Sequence, residues 1–421
     1  MTRVRTYQIP IEERRKIVYI PELLKVYLVN DEIDIPEYLI DEDYIPSEPS
    51  RPILRFPRCD LILNNFCNLR CIYCYSSAGE HQRKEMPLAA AEKAIDRVAS
   101  DCQITGLKRF GVTLTGGGEP LLSHKLVESI VEYCRRKREE TGLACKLAIV
   151  SNGNFSAQTC KFVTDNFNNV SISVDGLPDL HDRHRPTATG KGSFAPLERN
   201  VDRLLSSGKI DVGFRMTISE INVERLSEAL VFLHRKWPGV VIGLEPIEKV
   251  GRCADKNTIA LDPMKFVKHF IKALRIAKKY GIQIRHSLAT LKPLINEISF
   301  CGVNGKIFAI DPEGNITSCT RVNSSCDPLA QYFHYGKYDP ECDQLVIDIN
   351  AYLYLRNLTV NSVPGCKDCF AQYSCKGDCC HLKAGVFGKN FAHKKSPKCH
   401  ANRLLIIELL RMEMGLPAGE I

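Results

Sequence analysis

Between residues 60 and 280, short apolar runs rich in β-branched residues alternate with longer amphipathic ones, and this rhythm restricts the fold more than any other feature. DLILNN (60–65), RFGVTLT (109–115), KLAIV (146–150), VSISV (170–174), VGFRMTI (212–218) and VVIGLEP (240–246) read as strands. Helical periodicity occupies 87–100, 123–137, a segment near 157–166, 194–207, 223–236 and 263–280. Such alternation builds a parallel sheet with helical crossovers. Six units curl toward a barrel but fall short of the eight that close one. The expected fold class is α/β, with a partial (β/α)6 TIM-like barrel over 57–290. The missing units leave a lateral opening where a large substrate could enter.

The flanks read differently. Residues 1–56 form a short N-terminal accessory segment, in which KIVYI (16–20) and LKVYLV (24–29) suggest a small hairpin and PSEPSRP (46–52) a linker. From 291 to 400 loops and cysteines dominate, and a last helix is expected within 401–421, from the pattern HANRLLIIELLRMEM (400–414). The net charge of +8 is spread among acids, without a basic arm or a nucleic-acid patch. No run approaches the roughly 20 apolar residues of a membrane span, and the first residues lack a signal peptide's apolar core. A cytoplasmic protein with neither membrane nor nucleic acid as partner is expected.

The chain has 19 cysteines. A disulfide scaffold would be short and secreted, whereas clustered cysteines in a reducing compartment point to metal. Cys59, Cys102, Cys134, Cys145, Cys160 and Cys253 are scattered and read as small buried hydrophobes. Cys67, Cys71 and Cys74 lie together in CNLRCIYC (67–74), on the loop that leaves the first barrel strand. That is the face where barrels and open α/β sheets keep their chemistry. Zinc usually takes four ligands, as does a four-iron cluster. Three thiolates would leave one iron of such a cluster open to a substrate. A zinc site completed by a distant ligand, or three ordinary cysteines, are the alternatives.

CNLRCIYC resembles the signature of the radical S-adenosylmethionine (SAM) enzymes. In that family a [4Fe–4S] cluster chelates SAM through its open iron and cleaves it to a 5′-deoxyadenosyl radical. The resemblance makes Cys67, Cys71 and Cys74 the cluster ligands and sets Tyr73 near the adenine. TGGGEP (115–120), at the end of the second strand, is similar to the family's GGEP motif. Gly117, Gly118 and Glu119 would then hold the SAM ammonium, with Gly116 as an extra residue. SNG (151–153) and SVDG (173–176) resemble positions lining SAM or substrate, which nominates Ser151, Asn152, Ser173 and Asp175. HDRHR (181–185) before GKGSF (190–194) resembles a segment of the peptide-modifying branch. It adds Arg185 as a weaker candidate beside Arg215, and surface ion pairing is the alternative for either.

The second cysteine field runs Cys301, Gly314, Cys319, then Cys366, Cys369, Cys375, Cys379, then Cys399. DPEGN reads as a hairpin turn between IFAI and ITSC. The order and spacings resemble the SPASM domain, a C-terminal extension that carries auxiliary iron–sulfur clusters; a zinc-stapled tail is the alternative. By that resemblance Cys366, Cys369, Cys375 and Cys399 hold an outer cluster, and Cys301, Cys319 and Cys379 an inner one. The position where some family members carry a further ligand is Ile307. Cys326, Cys342 or Cys380 could complete the inner set, or one iron stays open.

The resemblance covers roughly residues 58–400 and implies an enzyme that oxidises or rearranges at an unactivated carbon. The leading reading is a maturase that modifies a ribosomally made peptide or a protein side chain, preferably by cross-linking. It would draw electrons from a flavodoxin or ferredoxin, and a separate protein could recognise a leader peptide. A sulfatase-maturing (formylglycine-generating) enzyme is the second reading. There the residue after the Cys319 position is an aspartate base, but here it is Thr320. Cofactor biosynthesis and a non-enzymatic iron–sulfur or zinc module complete the alternatives. No acid or base is assigned: Glu245, His286 and Tyr335 are conceivable, with burial for structural reasons favoured for each. The substrate, the bond formed and the oligomeric state stay open.

Overall fold

A computed structural model describes residues 5–11, 14–21, 25–32, 54–254, 259–289 and 298–419. The PSEPSRP linker lies outside them. Three strands open the chain: β1 (Tyr7–Ile11), β2 (Arg15–Ile20) and β3 (Lys25–Asn30), antiparallel in that order. The expected hairpin is thus the β2–β3 pair, and Tyr7–Ile11 adds a third strand. This sheet buries Ile9, Ile17 and Tyr19 against Phe370, Ala371, Ile406, Leu410 and Leu416, far along the chain.

The barrel strands are β4 (Arg58–Ile62), β5 (Arg109–Thr115), β6 (Ala144–Ser151), β7 (Asn169–Ser173), β8 (Asp211–Ile218) and β9 (Val241–Pro246). Each is parallel to the next, in sequence order, as five successive crossovers require. The crossovers contain α1 (Leu88–Ile104), α2 (His124–Thr141), α3 (Ala157–Asn166), α4 (Pro178–His184), α5 (Phe194–Ser206) and α6 (Leu226–Lys236); α7 (Pro263–Tyr280) follows β9. In β5, Phe110, Val112 and Leu114 are buried, while the alternate residues face the other side. Helix α5 buries Phe194, Leu197, Val201 and Leu204, one stripe at helical spacing. The Asp262 side chain caps α7 by accepting from the Met264 and Lys265 amides at 2.9 Å each, Pro263 starts it, and Gly281 ends it at φ 68°.

The sheet continues past the barrel at both edges. The short β10 (Ile284–Arg285) pairs in parallel with β9. On the other side β11 (Ala309–Ile310) lies parallel to β4, with Ala309 opposite Asp60 and Ile310 opposite Leu61. From there β12 (Asn315–Thr317), β13 (His334–Asp339) and β14 (Gln344–Ile347) extend it antiparallel. The DPEGN hairpin forms as read, with Gly314 at φ 83°. The cysteine-rich stretch is more regular than its loops suggested: it also contains helices Ile349–Arg356 and Cys380–Phe387. The last helix, Cys399–Glu413, packs on α7. No helix among the described residues is long and apolar enough to cross a membrane.

Candidate active site

The loop after β4 carries Cys67, Cys71 and Cys74, and polar contacts from other elements dictate its path. The Arg70 amide donates to Pro186 O (2.7 Å) and the Ile72 amide to His184 O (2.9 Å), which fastens the loop to the end of α4. The Arg252 guanidinium donates to Cys71 O (2.7 Å) and Ala78 O (2.9 Å), and its amide donates to Cys74 O (2.9 Å). At Gly251 (φ 57°) a Cβ would fall 2.2 Å from Tyr75 O, so only glycine lets this segment close on the third cysteine. Arg70, Arg252 and Gly251 were not singled out in the sequence. Arg252 and Gly251 meet backbone carbonyls far along the chain, which no local motif flags, while the Arg70 side chain braces its own loop by donating to Cys67 O and Leu69 O.

The three cysteines open into a cavity of about 600 Å³ at the C-terminal ends of the barrel strands. Tyr73, Gly117, Gly118, Glu119, Ser151, Asn152, Ser173, Arg185 and Arg215 share its lining. The glycine turn is tight. A Cβ at Gly118 would meet Phe66 O at 2.0 Å and Asn64 Oδ1 at 2.5 Å. Glu119 accepts from the Ser151 hydroxyl (2.8 Å), the Asn152 amide (2.8 Å) and the Leu121 amide (3.3 Å). Burial pushes its carboxyl up to about 7 against those bonds. It is a buried carboxyl beside Cys67 with no cationic side chain bonded to it among the described residues, a suitable partner for an ammonium group.

Asp175 is the one nominated residue that lies behind the cavity wall. It is fully buried and its oxygens are already engaged. It accepts from Tyr73 OH (2.5 Å), Arg185 Nε (2.8 Å), Arg185 Nη2 (3.3 Å) and the Thr217 amide (3.0 Å), and His184 Nδ1 stands 3.3 Å away. Burial alone would raise its carboxyl, but Arg185 and then His184 outweigh it and hold the group well below the usual carboxylate range. Asp175 therefore orients Tyr73 and Arg185, and these two face the cavity. The Arg185 guanidinium lies 5.2 Å over the Tyr73 ring.

A second cavity, of about 250 Å³, is lined by Cys301, Cys319 and Cys379. It shares Arg215, Glu245, Pro246, Ile247, Glu248, His286, Ser287, Thr320 and Arg321 with the first, so the two cavities adjoin across a common wall. In the shared wall Glu245 accepts from the Ser287 amide (3.0 Å), and its other oxygen is 3.3 Å from His286 Nδ1. The His286 ring is buried edge-on to Phe266 and Phe270. Burial would raise the Glu245 carboxyl, but His286 and Ser287 bring it below its ordinary value. Tyr335 lines neither cavity: its hydroxyl donates to Ile307 O (2.9 Å) and its ring packs on Phe56 and Tyr352, a structural position.

Cys366, Cys369, Cys375 and Cys399 form a separate group, close enough that the charges of Cys369 and Cys399 act on Cys366, and those of Cys366 and Cys399 on Cys375. All 19 thiols are free of disulfides. Among the described residues no three His, Cys, Asp or Glu side chains converge as around a single metal ion. The donor sets are therefore compared with a multi-iron cluster, which spreads its thiolates over several corners. In the barrel the fit is good: three unpaired thiols on one loop, a glycine cradle that a Cβ would fill, and a buried carboxylate beside it.

A partial barrel with a three-cysteine loop after its first strand defines a domain for SAM-dependent radical chemistry. Residues 61–233 match the Radical SAM superfamily. The domain implies SAM and a [4Fe–4S] cluster as cofactors. An uncharacterized protein of Methanocaldococcus jannaschii is 28% identical over 270 residues, covering 63% of this chain and 86% of that one. Mycofactocin maturase MftC of Mycobacterium ulcerans is 24% identical over 328 residues, covering 75% and 81%. Among solved structures, native anSMEcpe with bound AdoMet superposes with a TM-score of 0.67 at 18% identity, over 85% of this chain and 99% of that one. The same neighbour has been solved with AdoMet and a Cp18Cys peptide together. The protein is a radical SAM enzyme with maturases among its relatives.

Proposed function

We propose that this protein is a radical SAM/SPASM maturase that oxidatively modifies, by cross-linking, a ribosomally made peptide or a protein side chain. The observation that carries this reading is that the cavity of the three-cysteine loop and the cavity of Cys301, Cys319 and Cys379 adjoin across a common wall. A substrate residue held at that wall lies between the three-cysteine loop and Cys301, Cys319 and Cys379. MftC is named as a maturase, and the structural neighbour binds a peptide beside AdoMet.

In this reading Cys67, Cys71 and Cys74 hold the [4Fe–4S] cluster, which with bound SAM supplies a carbon-centred radical able to remove hydrogen from an unactivated C–H bond. Glu119 takes the SAM ammonium, and Gly117 and Gly118 let the backbone approach it. Ser151 and Asn152 hold Glu119 in place, and Asn152, Ser173 and Tyr73 line the rest of the SAM pocket. Arg215, exposed in the shared wall, orients an anionic group of the substrate. Cys366, Cys369, Cys375 and Cys399 hold an outer auxiliary cluster, and Cys301, Cys319 and Cys379 belong to an inner one. An electron donor of the flavodoxin or ferredoxin class completes the system. Thr320 lines the shared wall where a sulfatase-maturing enzyme would present a carboxylate, and a hydroxyl does not replace that base.

The test is anaerobic reconstitution followed by incubation with SAM and dithionite. The proposal expects 5′-deoxyadenosine and about twelve irons per chain, with about four lost in the Cys67/Cys71/Cys74→Ala variant. Stoichiometric zinc, little iron and no 5′-deoxyadenosine would overturn it.

A further inference from the structure

We propose that Arg215 and Arg285, which stand on either side of Gly243 in the wall of the first cavity, receive a carboxylate of the peptide substrate. The substrate is then an acidic peptide, or one that presents its C-terminus at this place. The inference rests on the maturase reading above and names the chemical class of its substrate.

The placement follows from strand register. Ser173 on β7 pairs with Arg215 on β8, Arg215 with Gly243 on β9, and Gly243 with Arg285 on β10. Residues in register on neighbouring parallel strands project from the same face of a sheet. The four therefore form one row across four strands, and all four line the first cavity. The row begins at Ser173, in the proposed SAM pocket, and ends on β10, the outermost strand at this end of the sheet. At about 4.8 Å per strand, the two arginines stand about 10 Å apart at their backbones. Their long side chains span that gap, so both reach a group held above Gly243.

The backbone gives Gly243 no reason to be glycine. Its φ is not in the left-handed region, and a Cβ there would meet only Phe214 O, at 3.4 Å, an ordinary contact. Glycine inside a strand weakens it, and such a position often marks close approach of a ligand. Here the missing side chain keeps the space between the two arginines open.

The charges around the row leave these two guanidiniums over. Glu248 is matched by Arg321 and by Lys398 Nζ at 3.4 Å. Glu245, on the same face two residues along β9, accepts from the Ser287 amide (3.0 Å) and lies 3.3 Å from His286 Nδ1. Arg185 is bound to Asp175 (2.8 Å), and with Nη1 3.9 Å from Cys71 Sγ it is a cation available to SAM's own carboxylate. Arg215 and Arg285 are both exposed to the cavity, and among the described residues neither has a carboxylate within ion-pair distance. Two such charges repel each other and favour an anion between them. A guanidinium fork grips a carboxylate through paired hydrogen bonds, which fixes the position of the anion as well as its charge. A carboxylate held above Gly243 directs the residues beside it along the row toward Ser173.

The experiment uses the full-length protein, reconstituted anaerobically with iron and sulfide and saturated with SAM, without a reductant. The probe is an array of short random peptides, each made with a free and with an amidated C-terminus. Peptides that offer a carboxylate are expected to bind about tenfold more tightly than their Asn, Gln or amide counterparts, the worth of a charge-assisted hydrogen bond. A preference for Asp and Glu in both forms identifies a side-chain carboxylate, and dependence on the free C-terminus identifies the chain end. Arg215→Gln and Arg285→Gln are each expected to remove most of the preference. Arg285→Lys is expected to keep part of it, and Arg285→Glu to reverse it toward basic peptides, which separates charge from folding. Gly243→Leu, which fills the gap and leaves both charges, is expected to weaken the acidic peptides as well. Peptide binding that ignores carboxylates, or a preference that survives in the Arg215→Gln/Arg285→Gln double variant, would overturn the receptor and leave the maturase reading standing. Loss of SAM affinity in the double variant equal to its loss for acidic peptides would assign the row to SAM's carboxylate and also overturn it. A wild type that binds no peptide at all would overturn the peptide-substrate reading on which the receptor rests.

Discussion

Glu119 and Asp175 are both fully buried carboxyls in the barrel, and their surroundings drive them in opposite directions. Glu119 has neutral donors only, so burial wins and its carboxyl titrates at about 7. Its folded value lies above its unfolded one. Its contribution to stability is therefore complete below the unfolded value of about 4.3 and is lost as pH rises toward about 7. An ammonium group favours the ionised form, so SAM affinity of the reconstituted protein should rise between about pH 6 and about pH 8. Glu119→Gln should weaken SAM about tenfold to a hundredfold, the worth of a charge-assisted hydrogen bond, and flatten that pH dependence. Equilibrium binding across that range checks both; a Gln variant with the wild-type slope would remove Glu119 from the SAM site.

Asp175 has Arg185 and His184, so its carboxyl stays ionised. Its folded value lies below its unfolded one, so its stabilisation is present above about pH 4 and is lost as pH falls further. Asp175→Asn would leave the Arg185 charge buried without its partner, at a cost of about 3–5 kcal/mol. Urea unfolding at neutral pH measures this. A change under about 1 kcal/mol would mean that Arg185 finds other solvation.

Two glycines with different surroundings separate crowding from conformation at the scale of elements. Gly118, after β5, faces backbone at 2.0 Å, whereas Gly142 ends α2 at φ 69° with nothing within 4 Å. Gly118→Ala must displace the loop that carries Cys67, and should cost about 1–3 kcal/mol or more together with SAM affinity. Gly142→Ala should cost about 1 kcal/mol from conformation alone and leave SAM binding intact. Thermal unfolding and SAM binding of the two variants distinguish these effects. The barrel strands and helices were legible from the sequence because each buries one face at its own period, as in β5 and α5. Helix α4 was not, since PDLHDRH has no apolar stripe. It is stabilised by what it carries, His184 against Asp175 and backbone carbonyls against the cysteine loop. The strands β11 to β14 were partly hidden because two to six residues give little periodicity; only the DPEGN turn announced them.

At the scale of the whole molecule, two junctions join what the sequence presents as separate segments. The β4–β11 pairing makes the cysteine-rich region an extension of the barrel sheet. The N-terminal sheet packs on the outer-cysteine region and the last helix through Ile17, Tyr19, Phe370 and Ile406. Ile17→Ala should therefore cost about 2–5 kcal/mol locally. Hydrogen exchange should rise in residues 366–416 more than in the barrel strands. Equal protection in both regions would show that the N-terminal sheet does not brace the cysteine field.

By itself the sequence determined the barrel, the three-cysteine loop, the order of the second cysteine field and the glycine turn before Glu119. These are local patterns, written in periodicity and spacing that a short window contains. Only the tertiary structure decided that the cavities of the three-cysteine loop and of Cys301, Cys319 and Cys379 adjoin, that Asp175 stands behind the wall and acts through Tyr73 and Arg185, and that Arg252 shapes the cysteine loop. Each depends on contacts between residues as far as about two hundred positions apart. Such contacts follow from how the whole chain packs, and no window of sequence records them.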